Sequence, residues 1–345
     1  MKNISSAGFF RRFFHEGDSM IKKITFLLLT AAFFIVPWVW TPARDWAPGI
    51  AVLTGIVFAV AWGNPFAKYT SKLTSTLLGW AIVGMGCGMD LVSVLRAGAS
   101  GFIYTLIGIS AGIGLGAFLG WKLKLPKNAT YLVSVGTSIC GGSAIAAAAP
   151  ALRAKAHEVA MASATVFALN AVALFLFPVI GHKLGFNQEQ FGFFAALAIH
   201  DTSSVVGAAL QYGESALEVG TVVKLARALW IVPVTLFLTW FIADKSGEEG
   251  EKRKVRVKVP WFIPGFLIAA AIVTWIPALN GAGGFLKNIS KYLMIMTLFL
   301  IGANLSREKL KELGVRPVLL GVILWVILSV LWCTAIHLEW VNCSI

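Results

Sequence analysis

Long apolar runs separated by short polar segments dominate this chain. The runs 24–40, 50–62 and 102–121 contain no charged residue, and a helix needs about 20 such residues to cross the apolar core of a bilayer. Reading every run in this way predicts eleven spans, of which the second and the ninth are short. They lie near 22–40, 48–63, 76–95, 99–121, 129–150, 156–181, 190–212, 216–243, 260–276, 286–304 and 316–337.

The composition supports the same interpretation. The 345 residues are 58% hydrophobic and 13% charged, and the mean hydropathy is +0.80, whereas a soluble domain is about a quarter charged. We therefore expect an all-α, multi-pass protein of the cytoplasmic (inner) membrane, with the lipid bilayer as its first partner.

The net charge of +13 would suit a nucleic-acid-binding protein, but its distribution indicates another origin. With a cytoplasmic N-terminus, the cytoplasmic segments hold 21 Lys and Arg and the opposite side holds 6. Such an excess marks the cytoplasmic side of membrane proteins. The sequence therefore predicts an internal N-terminus, an external C-terminus and no nucleic-acid partner. The six external residues are Arg44, Arg96, Arg153, Lys155, Lys287 and Lys291.

The predicted spans divide into an extra first span and two halves. Residues 1–21 form a cytoplasmic tail, 22–47 carry the extra span, and 48–181 and 190–337 carry five spans each. Because five is odd, the halves enter the membrane from opposite sides, as in the inverted repeats of secondary transporters. The charged stretch 244–259 is interpreted as a solvated cytoplasmic loop within the second half.

The stretch SICGGSAIAAAAP, residues 138–150, predicts a helix break in the middle of the fifth span. A glycine pair weakens a helix by about 1 kcal/mol per residue, and Ser143 could cap a second half-helix. Free amides there, with those of Gly141 and Gly142, would attract an anion. The alternative is close packing of small residues against a crossing helix. On the anion interpretation the uncharged donors are Ser138, Cys140, Gly141, Gly142 and Ser143.

The seventh span carries five consecutive polar residues near its middle, which are His200, Asp201, Thr202, Ser203 and Ser204. Polar groups in hydrocarbon are costly unless they face a cavity or a partner. A histidine titrates near neutral pH, so we expect His200 and Asp201 to form a coupling site for a proton or another ion, beside substrate-binding hydroxyls.

The eighth span carries two cations, Lys224 and Arg227, which share one helix face because they are three residues apart. Burying them costs several kcal/mol even on lenient insertion scales. They would supply compensating charge for an anionic substrate, or they would pair with a carboxylate. The candidate carboxylates are Asp201, Glu158 and Glu218. Asn170 of the sixth span is interpreted as a hydrogen-bonding residue between helices.

The sequence gives little support to an enzyme. The four cysteines show neither CxxC nor metal-ligand spacing, so we expect no disulfide framework, metal site or cofactor. A nucleotide-binding glycine pattern and a large soluble domain are also missing from the sequence. We therefore expect a protein that is neither an enzyme nor a receptor.

At GTSICGGSAIAAAAP, IHDTSSVVGAAL and VVKLARALWIVP the chain resembles the YeiH-type membrane proteins, a family named for sulfate export. That family is similar to the bile-acid/sodium symporters and the sodium/proton antiporters. The resemblance implies a five-plus-five inverted repeat with two broken helices that cross at the midplane, at Gly141–Gly142 and near Gly302–Asn304. It also adds Asn304 to the substrate-binding residues. Members more commonly have glutamate where this chain has Asp201.

These observations together predict a secondary transporter for a small oxyanion, with sulfate or a related sulfur anion first. The alternatives are a transporter of organic sulfonates or carboxylates, and a sodium/proton antiporter. An antiporter would be expected to have a pair of carboxylates at the crossing, and the fifth span has none. The sequence does not distinguish a proton from sodium as the coupling ion. It also leaves open whether the protein is a homodimer.

Overall fold

The computed structural model describes residues 6–40, 47–242, 260–304, 314–341 and 343, and these residues form helices without any strand. The loop 244–259 lies outside the described residues, whereas the predicted tail is helical from Ser6 onward. The helices are α1 Ser6–Val39, α2 Ala47–Ala61, α3 Ala67–Gly86, α4 Leu91–Lys122, α5 Lys127–Ser138, α6 Gly142–Leu152, α7 Ala156–Lys183, α8 Gln188–Ala198, α9 Thr202–Tyr212, α10 Glu214–Ala228, α11 Ile231–Phe237, α12 Phe262–Trp275, α13 Asn280–Ala303 and α14 Val315–His337, with a π-helical turn at Leu238–Ile242 and a 3-10 turn at Pro277–Leu279.

Among the described residues, six helical segments are long and apolar enough to cross a membrane. The predicted short spans near 48–63 and 260–276 are helices of 15 and 14 residues. The chain is thus an all-helical membrane protein over its described residues. The six segments are Met20–Val39, Leu91–Lys122, Ala156–Lys183, Glu214–Trp240, Pro277–Ala303 and Val315–His337.

The helices divide into two compact units. Unit 1 comprises residues 1–81 and 288–307, and unit 2 comprises residues 82–287 and 308–345. In unit 1 the backbones of α2 and α13 approach closely at Gly55 and Gly302. A Cβ on Gly55 would lie 2.8 Å from the backbone nitrogen of Ala303, so only glycine permits this approach.

The third predicted span was misplaced. The hydrophobic pattern predicts it at 76–95, whereas α3 ends at Gly86 and α4 begins at Leu91. The side chain of Asp90 accepts a hydrogen bond from the backbone N–H of Ser93 at 2.9 Å and so caps the start of α4. The apolar run 77–95 therefore covers the end of one helix and the start of the next, while α3 begins in the polar segment that contains Lys68 and Lys72.

In unit 2, α5 and α6 form an antiparallel pair, hairpin A (Lys127–Leu152). Its beginning and its end lie together at the N-terminal end of α7. Asn128 Nδ2 donates to Glu158 Oε2 at 3.4 Å, and the same oxygen accepts from the N–H of Lys155 at 2.8 Å. A straight helix over 127–152 would hold its two ends about 39 Å apart.

The helices α8 and α9 form a second antiparallel pair, hairpin B (Gln188–Tyr212), at the C-terminal end of α7. The hydroxyl of Tyr212 donates to the carbonyl of Phe186 at 2.6 Å, and its ring stacks on Phe191 with centroids 3.8 Å apart. Residues at the two ends of hairpin B are therefore neighbours.

The two hairpins correct the prediction for the fifth and seventh spans. Both spans break where the polar residues were noted, at Ile139–Gly141 and Ile199–Asp201, but the chain then turns back. The helix α13 is continuous from Asn280 to Ala303 and so ends at the break predicted near Gly302–Asn304, and residues 305–313 lie outside the described part of the chain. The break that lies beside the tip of hairpin A is the one at Ile199–Asp201, in hairpin B.

Candidate functional site

The tips of hairpins A and B meet beside the middle of α7. Gly141 has φ of +67°, a conformation that L-residues rarely adopt, and a Cβ on it would lie 3.1 Å from Cβ of Asp201. The same position neighbours Val166, and the N–H of His200 donates to Asn170 Oδ1 at 3.0 Å. Val166 and Asn170 lie about 15 and 21 Å along α7, which is about 42 Å long.

Lys224 of α10 joins the two tips. Its side chain is 0% exposed, and Nζ donates to the carbonyls of Ile139 at 3.1 Å, Ile199 at 2.6 Å and Ala196 at 3.4 Å. Three acceptors match the three N–H groups of an ammonium ion. The side chain therefore satisfies carbonyls at the C-terminal ends of both α5 and α8, where the helices leave them without intrahelical partners.

Arg227 extends this arrangement by one turn of α10. Nε donates to the carbonyl of Ser138 at 2.7 Å and Nη2 to that of Thr137 at 3.2 Å. Nη1 donates to the carbonyls of Ala196 and Leu197, both at 2.8 Å. Cations are favourable at helix C-termini, so the two buried cations connect the inward-running arm of each hairpin.

None of the three candidate carboxylates forms an ion pair with these cations in the described part of the chain. Asp201 caps α9, and Glu158 accepts from the backbone at the start of α7. Glu218 and Glu214 bind Lys287 at 2.5 and 2.8 Å. The alternative that Lys224 or Arg227 exists to pair with a carboxylate is therefore wrong, because backbone carbonyls take that place.

The second arm of hairpin A begins without a side-chain cap. The N-cap of α6 is Gly141, so Ser143 is not the capping residue predicted from the sequence. Ser143 lies in the first helical turn and is exposed, and Gly142 is partly exposed beside the ring of Phe167. The first two residues of α6 are thus accessible at the hairpin tip, whereas the amide of Ala144 is buried and lies against the Cys140 thiol.

The second arm of hairpin B begins with a strong cap. Asp201 Oδ1 accepts from the N–H of Ser204 at 2.6 Å and from the hydroxyl of Ser203 at 3.1 Å. Asp201, Thr202 and Ser203 are partly exposed, whereas Ser204 and His200 are buried. The polar run predicted as functional therefore lies at the tip, and its carboxylate is engaged by its own helix.

The charges at the tips leave a net positive region. Each helix C-terminus carries about half a negative charge and each N-terminus about half a positive one. Two cations, one carboxylate, two C-termini and two N-termini therefore leave about one net positive charge. The uncapped N-terminus of α6 is the accessible part of this region.

The other predicted substrate residues are distributed differently. Ser138 and Cys140 are 0% and 5% exposed, so they lie behind the tip of hairpin A. Asn304 belongs to unit 1, where its side chain binds those of Asn64, Thr70 and Thr74 at 2.7 to 3.1 Å. Within unit 2 the structure brings the start of α6 at Gly141–Ser143 together with the Asp201 cluster.

Several buried polar atoms near the tips have no hydrogen-bond partner within the described residues, and three of the residues that carry them, Thr137, Thr221 and Trp325, were not predicted as candidates from the sequence. Trp325 lies near the middle of α14, whereas tryptophans of membrane proteins concentrate at the interfaces. Its position within the apolar run could therefore have indicated a candidate residue from the sequence. These atoms include Thr137 Oγ1, Ser138 Oγ, Asn170 Nδ2, His200 Nδ1 and Nε2, Thr221 Oγ1 and Trp325 Nε1.

Comparison with known proteins identifies relatives over most of the chain. The family model described as Conserved hypothetical protein 698 matches residues 24–321. The chain is 52% identical over 292 residues to UPF0324 membrane protein Bd1437 of Bdellovibrio bacteriovorus, covering 85% of this chain and 89% of that protein. It is 44% identical over 322 residues to UPF0324 membrane protein GSU2818 of Geobacter sulfurreducens, covering 93% and 98%.

A UPF0324 membrane protein of Bacteroides thetaiotaomicron is 45% identical over 286 residues, which cover 82% of this chain and 84% of that protein. No solved structure matches the chain. The names of these relatives describe membrane proteins and state no substrate.

Proposed function

Because the chain belongs to the family of UPF0324 membrane proteins, we propose that it is a secondary transporter for a small anion. The observation that carries the proposal is the pair of opposed hairpins, whose tips meet around two buried cations. Broken helices that meet within the membrane and direct their termini at a substrate are typical of secondary transporters. The net positive charge at the tips favours an anion.

The substrate is proposed to bind at the N-terminus of α6. Ser143 and the backbone N–H groups of its turn are donors, and the partly exposed hydroxyls of Thr202 and Ser203 lie on the neighbouring tip. Lys224 and Arg227 supply fixed positive charge from behind, since their own hydrogen bonds go to carbonyls. Sulfate or a related sulfur anion suits such a set of uncharged donors, and organic sulfonates or carboxylates are the second candidates.

Coupling is assigned to the tip of hairpin B, with a proton or sodium as the coupling ion. The Asp201 carboxylate holds the start of α9 through Ser203 and Ser204. Binding of a proton or a cation to Asp201 would weaken this cap and change the position of the tip facing Gly141. His200 follows the carbonyl that accepts from Lys224, so it would sense the same movement.

In a bilayer the two hairpins would be re-entrant, entering from opposite sides with α7 crossing between them. This arrangement moves Arg153 and Lys155 to the cytoplasmic side and Lys183 to the external side. The excess of Lys and Arg then becomes 22 to 5 instead of 21 to 6, which supports a cytoplasmic N-terminus and an external C-terminus. With re-entrant hairpins each half of the chain crosses the membrane four times, so both halves begin on the same side, and the argument for an inverted repeat from an odd number of spans no longer applies.

The proposal is tested with purified protein in liposomes. Counterflow of labelled sulfate should be saturable, and unlabelled sulfite, thiosulfate, taurine and succinate added in excess will rank the substrate classes. Empty liposomes and a matched sodium gradient without anion are the controls. Anion-independent sodium flux together with no flux of any anion would favour the antiporter instead.

The orientation is tested with single cysteines in a variant that lacks the native ones. We expect an impermeant thiol reagent to label Lys183→Cys and Trp340→Cys in intact cells and to label His157→Cys only after permeabilisation. All three positions are exposed. Two crossing spans in place of the hairpins would give the opposite result at Lys183 and His157, with Trp340 unchanged.

The native Cys343 is unsuitable for this measurement. It is 9% exposed, and burial, with a smaller contribution from the charge of Glu189, raises the pKa of its thiol to about 12. The thiolate is the reactive form, so Cys343 reacts slowly at neutral pH whichever side it faces.

A further inference from the structure

Three buried polar side chains lie together behind the tip of hairpin B. Asn170, His200 and Trp325 are 2%, 1% and 8% exposed. Within the described residues, Asn170 Nδ2 and Trp325 Nε1 have no hydrogen-bond partner. The ring nitrogens of His200 also lack a partner of good geometry, although the backbone carbonyl of Val166 lies near the ring. A buried polar group without a partner costs about 1–3 kcal/mol, so three neighbouring ones indicate a bound molecule.

The three groups come from different elements and are linked through His200. Asn170 of α7 is anchored by its Oδ1, which accepts from the N–H of His200 at 3.0 Å, and this leaves its Nδ2 beside the tip. The His200 ring and the Trp325 indole have centroids 6.4 Å apart at an interplanar angle of 62°. Phe177 stacks on the other side of Trp325 at 5.3 Å and closes that side with an apolar wall.

The chemistry of this cluster favours an acceptor of hydrogen bonds. The amide of Asn170 and the indole of Trp325 are fixed donors, and an imidazole has at least one N–H. Lys224 and Arg227 bind carbonyls of residues 196, 197 and 199, immediately before His200, and the carboxylate of Asp201, immediately after it, is held by Ser203 and Ser204 of its own helix. A cation would meet donors and like charge there, and a small anion would meet donors and opposite charge.

We propose that Asn170, His200 and Trp325 form an inner site for a small inorganic anion, distinct from the accessible N-terminus of α6. The inner site deepens the proposed anion transport and rests on it: an ion that leaves the α6 amides would pass the tip of hairpin B to reach these donors. The inner site would also give a ligand-binding role to Asn170 and Trp325, which are not among the substrate-binding residues predicted from the sequence.

The test measures the thermal midpoint of the purified protein against increasing chloride or sulfate, with gluconate replacing the anion at constant sodium. A ligand that binds only the folded state raises the midpoint with occupancy. We expect a saturable rise with one or both anions, and the two arms distinguish a halide from an oxyanion. A flat response in both would show that the site holds water only and would overturn the inference.

Two substitutions locate the site. Trp325→Phe keeps an aromatic ring against Phe177 but removes the donor, and we expect binding to weaken roughly two- to tenfold. Asn170→Asp keeps an acceptor for the N–H of His200 while placing a negative charge at the site, and we expect the anion-dependent rise to disappear. Trp332→Phe, on the same helix and 3% exposed, is the matched control and should leave the rise unchanged.

The outcome separates the inner site from the proposed function. An anion-dependent rise that is lost in both variants, in a protein that moves no anion in liposomes, would support the site and reject transport. Anion flux in the wild type, with a rise that both variants retain in full, would support transport and reject the inner site. If Asn170→Asp does not fold, the comparison of Trp325→Phe with Trp332→Phe decides alone.

Discussion

Arg227→Met is expected to lower the thermal midpoint of the purified protein by about 10 °C. Arg227 is 2% exposed and donates four hydrogen bonds to carbonyls at the ends of α5 and α8. Methionine donates none, and each buried acceptor left unpaired costs about 1–3 kcal/mol. Relaxation of the tips will recover part of this cost. We therefore expect the free energy of unfolding to fall by about 3–5 kcal/mol, which is the usual cost of removing one partner of a buried charged interaction.

Lys287→Met is the matched control, because it also removes a cation with more than one partner. Its partners Glu214 and Glu218 have side chains that are 54% and 27% exposed, so water can solvate them after the change. Ion pairs of this kind contribute about 0–1 kcal/mol. Equal midpoints for Arg227→Met and Lys287→Met would contradict the stabilising role of the bonds between α10 and the hairpins.

Lys224→Met extends the same test to the second cation. We expect it to destabilise the protein, and we expect Asp201→Asn not to restore the midpoint, because the Asp201 carboxylate is already bound by Ser203 and Ser204. Recovery in the double variant would show that the carboxylate, rather than the carbonyls of Ile139 and Ile199, is the main partner of Lys224.

Ser143→Leu is expected to reduce anion counterflow to the level of empty liposomes while the midpoint stays close to that of the wild type. Ser143 is exposed in the first turn of α6, so leucine meets no packed core there, and surface substitutions usually change stability by no more than about 0.5 kcal/mol. The added side chain would cover the amides that are proposed to hold the anion.

Ala146→Leu is the control for added bulk on the same helix. Ala146 is exposed one turn beyond Ser143, where the amide groups bond within the helix. We expect this variant to keep most of its flux. Aggregation of Ser143→Leu would instead favour the small-residue packing interpretation of residues 138–150, and full flux with normal stability would exclude the N-terminus of α6 as the anion site.

The hydrophobic pattern was sufficient to predict an all-helical membrane protein and most of its elements. The apolar blocks correspond to helices because a segment that crosses the lipid must be apolar over about 20 residues and must satisfy its backbone hydrogen bonds internally. The break of the fifth span was also predicted, since a glycine pair within an apolar run disfavours a continuous helix, whereas the polar residues of the seventh span were interpreted as a site and not as a break. The boundary between α3 and α4 was missed because hydropathy is similar on both sides of Asp90.

The sequence by itself thus determined the class of the protein, the helix break in the fifth span, the polar cluster of the seventh span and the presence of two cations in apolar surroundings. Only the tertiary structure decided that the chain turns back at both places, because a local break leaves the direction of the next helix free. Tertiary structure also decided that Lys224 and Arg227 bind carbonyls. Those acceptors are backbone groups, which every residue carries, so residue types cannot distinguish them; only the packing of α5, α8 and α10 brings the unpaired carbonyls within reach of the cations.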